Sequence, residues 1–318
     1  MESNHQNENL DQQYVLIVGD IMLDEYVIGT HSRQSPEADV PIILSQQVDY
    51  RLGGAGNVAV NLKSLGLSTG IISVVGTDVQ ASVIHSLLGE NAIDAHLISD
   101  ESRPTTVKQR IVNQDFEQYL RIDTETTDQI TLSQETEVIL KIKNLLSLQR
   151  IAAIIIQDYN KGVLTDYVIK HIQELTLHHN IPTFVDPKQR QFKLLSKCSF
   201  FKPNLKELSL ASKVEIVPEI KSIKQAIETL DLDCENIFVT LGNKGIYYEE
   251  LSTDNHGIVK GKPVDNADVS GAGDTVIASL VWGYLSGFSI EKMAKKANDS
   301  GAAVCRKLGV SPIFLKEL

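Results

Sequence analysis

The sequence predicts an α/β fold, with a mostly parallel sheet covered by helices on both faces and a small antiparallel β lid standing off it. Three observations carry this expectation. Short apolar runs recur along the chain, each ending in a polar residue. Helical periods lie between most of them. Two further segments look extended but are not followed by helices. Continuous rather than alternating apolar runs suit strands buried on both faces.

Residues 1–13 are rich in Asn, Gln and Glu and are expected to be a disordered tail. Tyr14–Gly19 is the first apolar run and is closed by Asp20. Residues 151–156 form another, leading to Asp158; residues 183–185 end at Asp186. Residues 199–201 lead into Lys202-Pro203-Asn204, and residues 236–241 run into Gly242. Between these runs, Val138, Ile139, Ile142, Leu145 and Leu146 share one helical face. Val168, Ile169, Ile172 and Leu175 share another, with Thr165 as N-cap. In such sheets ligands bind beyond the carboxyl ends of the strands, where these acidic and amide residues fall. Each of them could equally cap the helix that follows.

The extended segments are residues 26–30 with 40–48, and 105–122. They define lid segments at about 24–50 and 103–123 within one domain spanning 14–318. In the second segment a period of two puts Thr106, Lys108 and Arg110 on one face. A lid has a physical task where water must be kept from a reactive phosphoryl donor.

Composition narrows the class of function. A net charge of −11 argues against a nucleic-acid or anionic-membrane partner, though not against a small anionic ligand. Cys198, Cys234 and Cys305 have no metal-like spacing and read as thiols in a reducing compartment. The N-terminus lacks a signal-like apolar core, and no apolar run is long enough to span a bilayer, so a cytoplasmic location is expected.

The chemistry concentrates in two glycine runs. Residues 266–274 end in Gly271-Ala272-Gly273-Asp274 and precede a helical stretch. Glycines and a helix N-terminus together make an anion hole suited to a transferring phosphoryl group. Asp274 at its mouth could accept the proton of an attacking hydroxyl, or could simply cap the helix. The other run, Gly53-Gly54-Ala55-Gly56-Asn57, also opens a helix, and its Asn suits a polyhydroxylated ligand. A dinucleotide reading is weak, because the preceding residues 46–52 are too polar for a buried first strand. There is no P-loop and no protein-kinase signature set.

These two motifs, in this order, resemble the ribokinase-like (PfkB) carbohydrate kinases over residues 14–312. The resemblance implies ATP as donor, Asp274 as catalytic base and the N–H groups of Gly271, Ala272 and Gly273 as the anion hole. It implies that Asp20, Gly53, Gly54 and Asn57 lie on the sugar side. Asn204-Leu205-Lys206-Glu207 looks like the family's Asn-x-x-Glu motif, with Asn204 and Glu207 organising Mg²⁺ largely through water. Thr240, Gly242 and Gly245 resemble the turn that supports the nucleotide, with Asn298 near the adenine and Lys188 also placed among the nucleotide-binding residues. Asp268 matches a residue that helps to site a monovalent cation in some members.

A narrower similarity is to bacterial D-glycero-β-D-manno-heptose 7-phosphate kinases. It rests on residues 18–26, Ser35-Pro36-Glu37-Ala38, residues 51–54, residues 120–123, Asp158-Tyr159-Asn160-Lys161-Gly162, Asp186-Pro187-Lys188 and Lys202-Pro203-Asn204-Leu205. It implies phosphorylation of the anomeric hydroxyl, towards ADP-heptose and lipopolysaccharide core. Many of those kinases carry an adenylyltransferase domain, which for this 318-residue chain is expected on a separate protein. Such a substrate needs a cation for its distal phosphate. Lys108 with Arg110 is the leading pair, and Arg33, Lys161 and Lys188 are further candidates. Asp158 and Lys161 are placed on the substrate side. The exposed edges of a small lid sheet favour a homodimer.

Overall fold

The computed structural model describes residues 10, 12–265 and 267–318. The tail expected over 1–13 falls mostly outside them. Of its described members, Leu10 is buried in the core and accepts a backbone hydrogen bond from Gln13. Asn266, which opens the second glycine segment, also lies outside.

In chain order the strands are β1 (Tyr14–Gly19), β2 (Ile21–Gln34), β3 (Pro41–Gly54), β4 (Ser68–Val75), β5 (Asp94–Ser99), β6 (Val107–Val112), β7 (Gln118–Thr124), β8 (Ile151–Gln157), β9 (Thr183–Asp186), β10 (Cys198–Phe201), β11 (Cys234–Thr240), β12 (Gly245–Glu250) and β13 (His256–Lys260). The helices are α1 (Ala55–Ser64), α2 (Val79–Glu90), α3 (Leu132–Leu148), α4 (Asp166–His179), α5 (Phe192–Leu195), α6 (Leu205–Ser212), α7 (Ile220–Leu230), α8 (Ala272–Leu285) and α9 (Ile290–Val304).

The main sheet has nine strands in the order β13-β12-β11-β10-β9-β8-β1-β4-β5, parallel except for the antiparallel pairs β11–β12 and β12–β13. Alternation along β1 explains its unbroken apolar run. Val15 and Ile17 face a core built with α1, α2, α8 and α9, while Leu16 and Val18 face one built with α3, α4, α6 and α7. Each such side chain stabilises the fold by about 1.5–3 kcal/mol through burial. The chain order reverses between β1 and β8, whose carboxyl ends deliver Asp20 and Asp158 to the crevice expected at such a switch point.

The second sheet has the order β3-β2-β6-β7. Against the lid segment at 24–50, β2 starts earlier, at Ile21, because only Asp20 separates it from β1; against the segment at 103–123, β6 starts later, at Val107. One apolar stretch thus serves two sheets. The outer pairs are antiparallel, whereas the central pair β2–β6 is parallel. The two faces of this lid differ in chemistry. Asp24, Tyr26, Lys108, Arg110, Arg121 and Asp123 share one face by register; Val48, Tyr50, Leu120 and Ile122 lie on the other and are exposed.

Candidate active site

Asp274 sits in the first turn of α8. Gly271, the N-cap, has φ 74°, a left-handed conformation, and a Cβ there would collide with the Asn57 amide. The first N–H groups of the helix have no partner within it and, with the helix dipole, favour an anion beside Gly271, Ala272 and Gly273. The Asp274 carboxylate is only 2% exposed. Asn57 donates its Nδ2 to Oδ2 at 2.8 Å; Tyr159 donates its hydroxyl to Oδ1 at 2.7 Å, and Gln157 its Nε2 to Oδ1 at 3.3 Å. Burial pushes the Asp274 carboxyl up to about 7, against the hydrogen bonds of Tyr159 and Asn57 that favour the charged form. A carboxylate poised near neutrality is suited to general-base work.

The glycine run at the start of α1 builds the opposite wall. Gly54, its N-cap, has φ 57°, and Gly53 packs so closely on the Asp24 carboxylate that no Cβ would fit. Asn57, expected on the sugar side, donates its amide to Asp274, because α1 and α8 meet at their N-termini. Asn61 locks this junction: its Nδ2 donates to Asn57 Oδ1, and its Oδ1 accepts from Thr275 Oγ1 and the Ile313 N–H.

Two other residues expected on the sugar side, Asp20 and Asp158, are buried and bonded to backbone N–H groups. Asp20, 1% exposed, accepts from the backbone N–H groups of Tyr159, Lys161 and Val163 at 2.8, 3.1 and 3.2 Å. It pins the loop after β8. Asp158 accepts from the N–H groups of Asn160 and Lys188, tying that loop to the one after β9. Burial, with the charge of Asp20, pushes the Asp158 carboxyl up to about 6. What these two carboxylates position is Tyr159, whose hydroxyl reaches Asp274 and whose ring lies 5.2 Å from Lys188 Nζ.

Asn204 and Glu207 form a capping box on α6: Asn204 Oδ1 accepts from the Glu207 N–H, and Glu207 Oε2 accepts from the Asn204 N–H, both at 2.8 Å. The other Glu207 oxygen pairs with Lys188. Beside them Asp186 and Lys202 form an ion pair at 3.0 Å. Among the described residues no group of three or more His, Cys, Asp or Glu side chains could hold a metal ion.

A cavity of about 310 Å³ opens next to the α8 N-terminus. Asn204, Thr240, Gly242, Gly245, Ala272, Gly273 and Asn298 all line it, so five expected nucleotide residues meet two of the anion hole. Lys188 lies apart from it, with Glu207. Asn298 donates to the Lys260 carbonyl and joins α9 to β13. Asp268 accepts from the Ser270 and Gly309 N–H groups, fixing the turn before α8.

On the charged lid face, Lys108 and Arg110 do not converge on one point. Lys108 pairs with Asp123 and Glu125, and Lys161 joins it at Glu125. Arg110 pairs with Asp24 and lies over the Tyr26 ring. Both cations are therefore already neutralised by carboxylates. Arg33 lies on the exposed part of β2.

Residues that the sequence reading did not place in the site are Asp24, Gln157, Tyr159, Asp186 and Lys202. Asp186, Lys202 and Tyr159 stood inside motifs already noted, so their motifs were a usable signal. Gln157 carried none, being the last residue of an apolar strand.

The pfkB family carbohydrate kinase description matches residues 12–316 of the chain. A curated relative, the bifunctional protein HldE of Methylobacillus flagellatus, is 36% identical over 313 residues, which cover 97% of this chain and 63% of the relative. The chain thus spans less than two thirds of that relative's length. Among solved structures, phosphofructokinase-2 from Escherichia coli in complex with potassium superposes with a TM-score of 0.78 at 19% identity, covering 96% of each chain. Arabidopsis thaliana ribokinase complexed with ribose and ATP gives 0.70 at 17%, covering 94% of each. These two show the shared fold. With its two glycine-capped helices meeting at Asp274, the chain belongs to the pfkB family of carbohydrate kinases.

Proposed function

We propose that the protein transfers the γ-phosphoryl group of ATP to the anomeric hydroxyl of a sugar phosphate of the D-glycero-β-D-manno-heptose 7-phosphate class. The observation that carries this reading is the position of Asp274, in the first turn of α8 next to the cavity that Ala272 and Gly273 line, held by three side-chain donors. The acceptor hydroxyl gives its proton to Asp274 as its oxygen attacks the γ-phosphorus in line. The N–H groups at the start of α8 take up the charge on the equatorial oxygens. ATP suits the cavity lined by Thr240, Gly242, Gly245 and Asn298, and the ribokinase neighbour holds ATP.

Mg²⁺ would arrive with the nucleotide. The nearest carboxylates, Asp186 and Glu207, are each paired with a lysine, so the donor set fits an ion held mainly by phosphates and water, with Asn204 and Glu207 behind the water. The relative named HldE supports the heptose class through its overall similarity. In this reading adenylyl transfer follows in a catalytic unit outside residues 12–316, and two chains pair through the exposed apolar lid face. A second reading, a kinase of another sugar or nucleoside, is favoured by one observation: Lys108 and Arg110 already have carboxylate partners.

A screen of sugar phosphates with ATP and Mg²⁺ tests the choice, with the new phosphate located by NMR. The heptose 7-phosphate should turn over fastest and acquire an anomeric phosphate. Equal turnover of the unphosphorylated sugar would remove the distal-phosphate requirement and leave the second reading.

A further inference from the structure

Arg51, near the carboxyl end of β3, belongs to the lid but bonds to a distant part of the chain. Its Nη1 donates to the Leu308 and Val310 carbonyls at 2.8 and 2.9 Å and to Ser311 Oγ at 3.3 Å. Its Nε donates to Asp49 Oδ2 at 2.9 Å, and its Nη2 pairs with the same oxygen at 2.8 Å. The guanidinium carbon lies 5.1 Å from the centre of the Tyr26 ring and 5.4 Å from that of Phe116. Carboxylate, rings and carbonyls together fix the plane of the guanidinium, which the single ammonium of a lysine could not reproduce. Tyr26 adds a second grip, because its hydroxyl accepts from the Val310 N–H at 3.1 Å.

The strap that these two residues hold, residues 308–311, follows α9 and faces the anion hole on its other side. Gly309 allows the close approach. Its φ is 66°, and a Cβ there would stand 2.9 Å from Arg51 Nη1 and 3.0 Å from Tyr26 Cζ. The Gly309 N–H donates to Asp268 Oδ2 at 2.8 Å, while Asp268 Oδ1 accepts from the Ser270 N–H at 2.9 Å. Val310 Cγ1 lies 3.4 Å from the point where a Cβ of Gly271, the left-handed N-cap of α8, would stand. Two consecutive strap residues therefore touch the lid and the turn that opens α8. Attachment of the lid does not call for such a clamp. The chain already joins it to the main domain, through Asp20 before β2 and directly from β3 into α1.

We propose that Arg51 is a positioning residue for phosphoryl transfer: through residues 308–311 it ties the stance of the lid to the turn that aims the N–H groups of α8. This rests on the kinase reading above. Arg51 acts through the strap and carries neither the proton nor the phosphoryl group. The anion hole works by holding its donors in place before charge develops, so a small shift of the turn from Asp268 to Gly271 is felt mainly in the transition state. A lid out of position would loosen the strap, and the hole would lose its aim.

The test compares Arg51→Met, Arg51→Lys and Gly309→Ala with the parent chain, by steady-state kinetics and by amide deuterium uptake. Arg51→Met keeps an apolar stem against the two rings and removes the guanidinium. Arg51→Lys keeps the charge as well and guards against a variant that fails to fold. Gly309→Ala leaves Arg51 intact but wedges it off the strap. In all three, kcat should fall about 10–100-fold, with KM for ATP and for the sugar phosphate changed less than about threefold. Binding of ADP with tetrafluoroaluminate should weaken by a similar factor while ADP alone binds as before. Uptake over residues 268–276 should quicken by at least about threefold, with uptake over β8 unchanged. Unchanged uptake over 268–276 in Arg51→Met and Gly309→Ala would overturn the proposal, as would a kcat within about threefold of the parent in Arg51→Lys. A raised KM for the sugar phosphate at unchanged kcat would also overturn it, by making Arg51 a substrate contact. If the parent turned over no sugar phosphate with ATP, the kinase reading would fall, and the uptake comparison would still decide whether the strap couples lid and turn.

Discussion

Asp274 on the floor of the active site and Asp123 on the lid are both carboxylates with several donors in reach, yet the surroundings move them in opposite directions. At Asp274 burial dominates and lifts the carboxyl to about 7. Asp20 and Asp158 are lifted for the same first reason, and so is Asp24, the buried carboxylate at the root of the lid strand β2. At Asp123 burial also acts upward, but the hydrogen bond and charge of Lys108, with those of Arg121, outweigh it and hold the group below its ordinary value. Glu125 behaves likewise, between Lys161 and Lys108. The buried carboxylates of the floor and of the lid's root are thus ready to take a proton, while Asp123 and Glu125 on the lid's more exposed edge are kept charged.

Linkage gives the two regions opposite effects on stability. A carboxyl raised in the folded state contributes stability that is complete below its unfolded value and lost as pH rises, for Asp274 through about 7. The lid carboxylates, lowered in the fold, contribute stability above their unfolded values that is lost as pH falls.

The largest expected effect comes from Asp274→Asn. Loss of the base should lower turnover by roughly 10²–10⁴-fold. The same change removes the cost of ionising a buried group, so the variant should show a higher urea midpoint than the parent at pH 8 and a smaller gain at pH 5. Identical midpoints at pH 8 would mean that the floor is not strained in the way described.

In the parent protein kcat/KM should rise about tenfold per pH unit and level off near 7, as the base ionises. A flat profile between pH 5 and 8 would contradict a base of that character. Tyr159→Phe sharpens the same point. It deletes a hydrogen bond that favours the charged carboxylate, worth about 1.5–3 kcal/mol in such settings, so the midpoint should move up by about one to two pH units. A midpoint that stays in place would assign Tyr159 to packing alone.

The smallest effect belongs to the lid. Lys108→Met breaks partly exposed pairs with Asp123 and Glu125, so unfolding free energy should change by less than about 1 kcal/mol. Under the proposed function, KM for the sugar phosphate should rise. A large loss of stability with unchanged KM would make the lid a structural element like the floor.

Much of the architecture was legible because burial on two faces leaves a plain mark. The runs at β1, β8, β9, β10 and β11 are continuous and apolar, and the faces of α3 and α4 repeat at helical spacing. The start of the lid was less legible, since the residues flanking Asp20 are equally apolar in either sheet. In the site, the glycines were readable because a left-handed N-cap at Gly271 and close approach at Gly53 exclude other residues. Gln157 was not, because nothing in a strand-end glutamine says which two carboxylates it will bridge.

The sequence by itself determined which residue types were available for phosphoryl transfer, and the order in which strands would deliver them. The tertiary structure alone decided their partners. Asp20 and Asp158 face backbone N–H groups, Asn57 faces Asp274, and Lys202 meets Asp186. Side-chain roles of this kind follow largely from contacts between distant positions, 16 residues apart for Lys202 with Asp186 and 217 for Asn57 with Asp274, whereas burial and helix capping act locally and leave their pattern in the sequence.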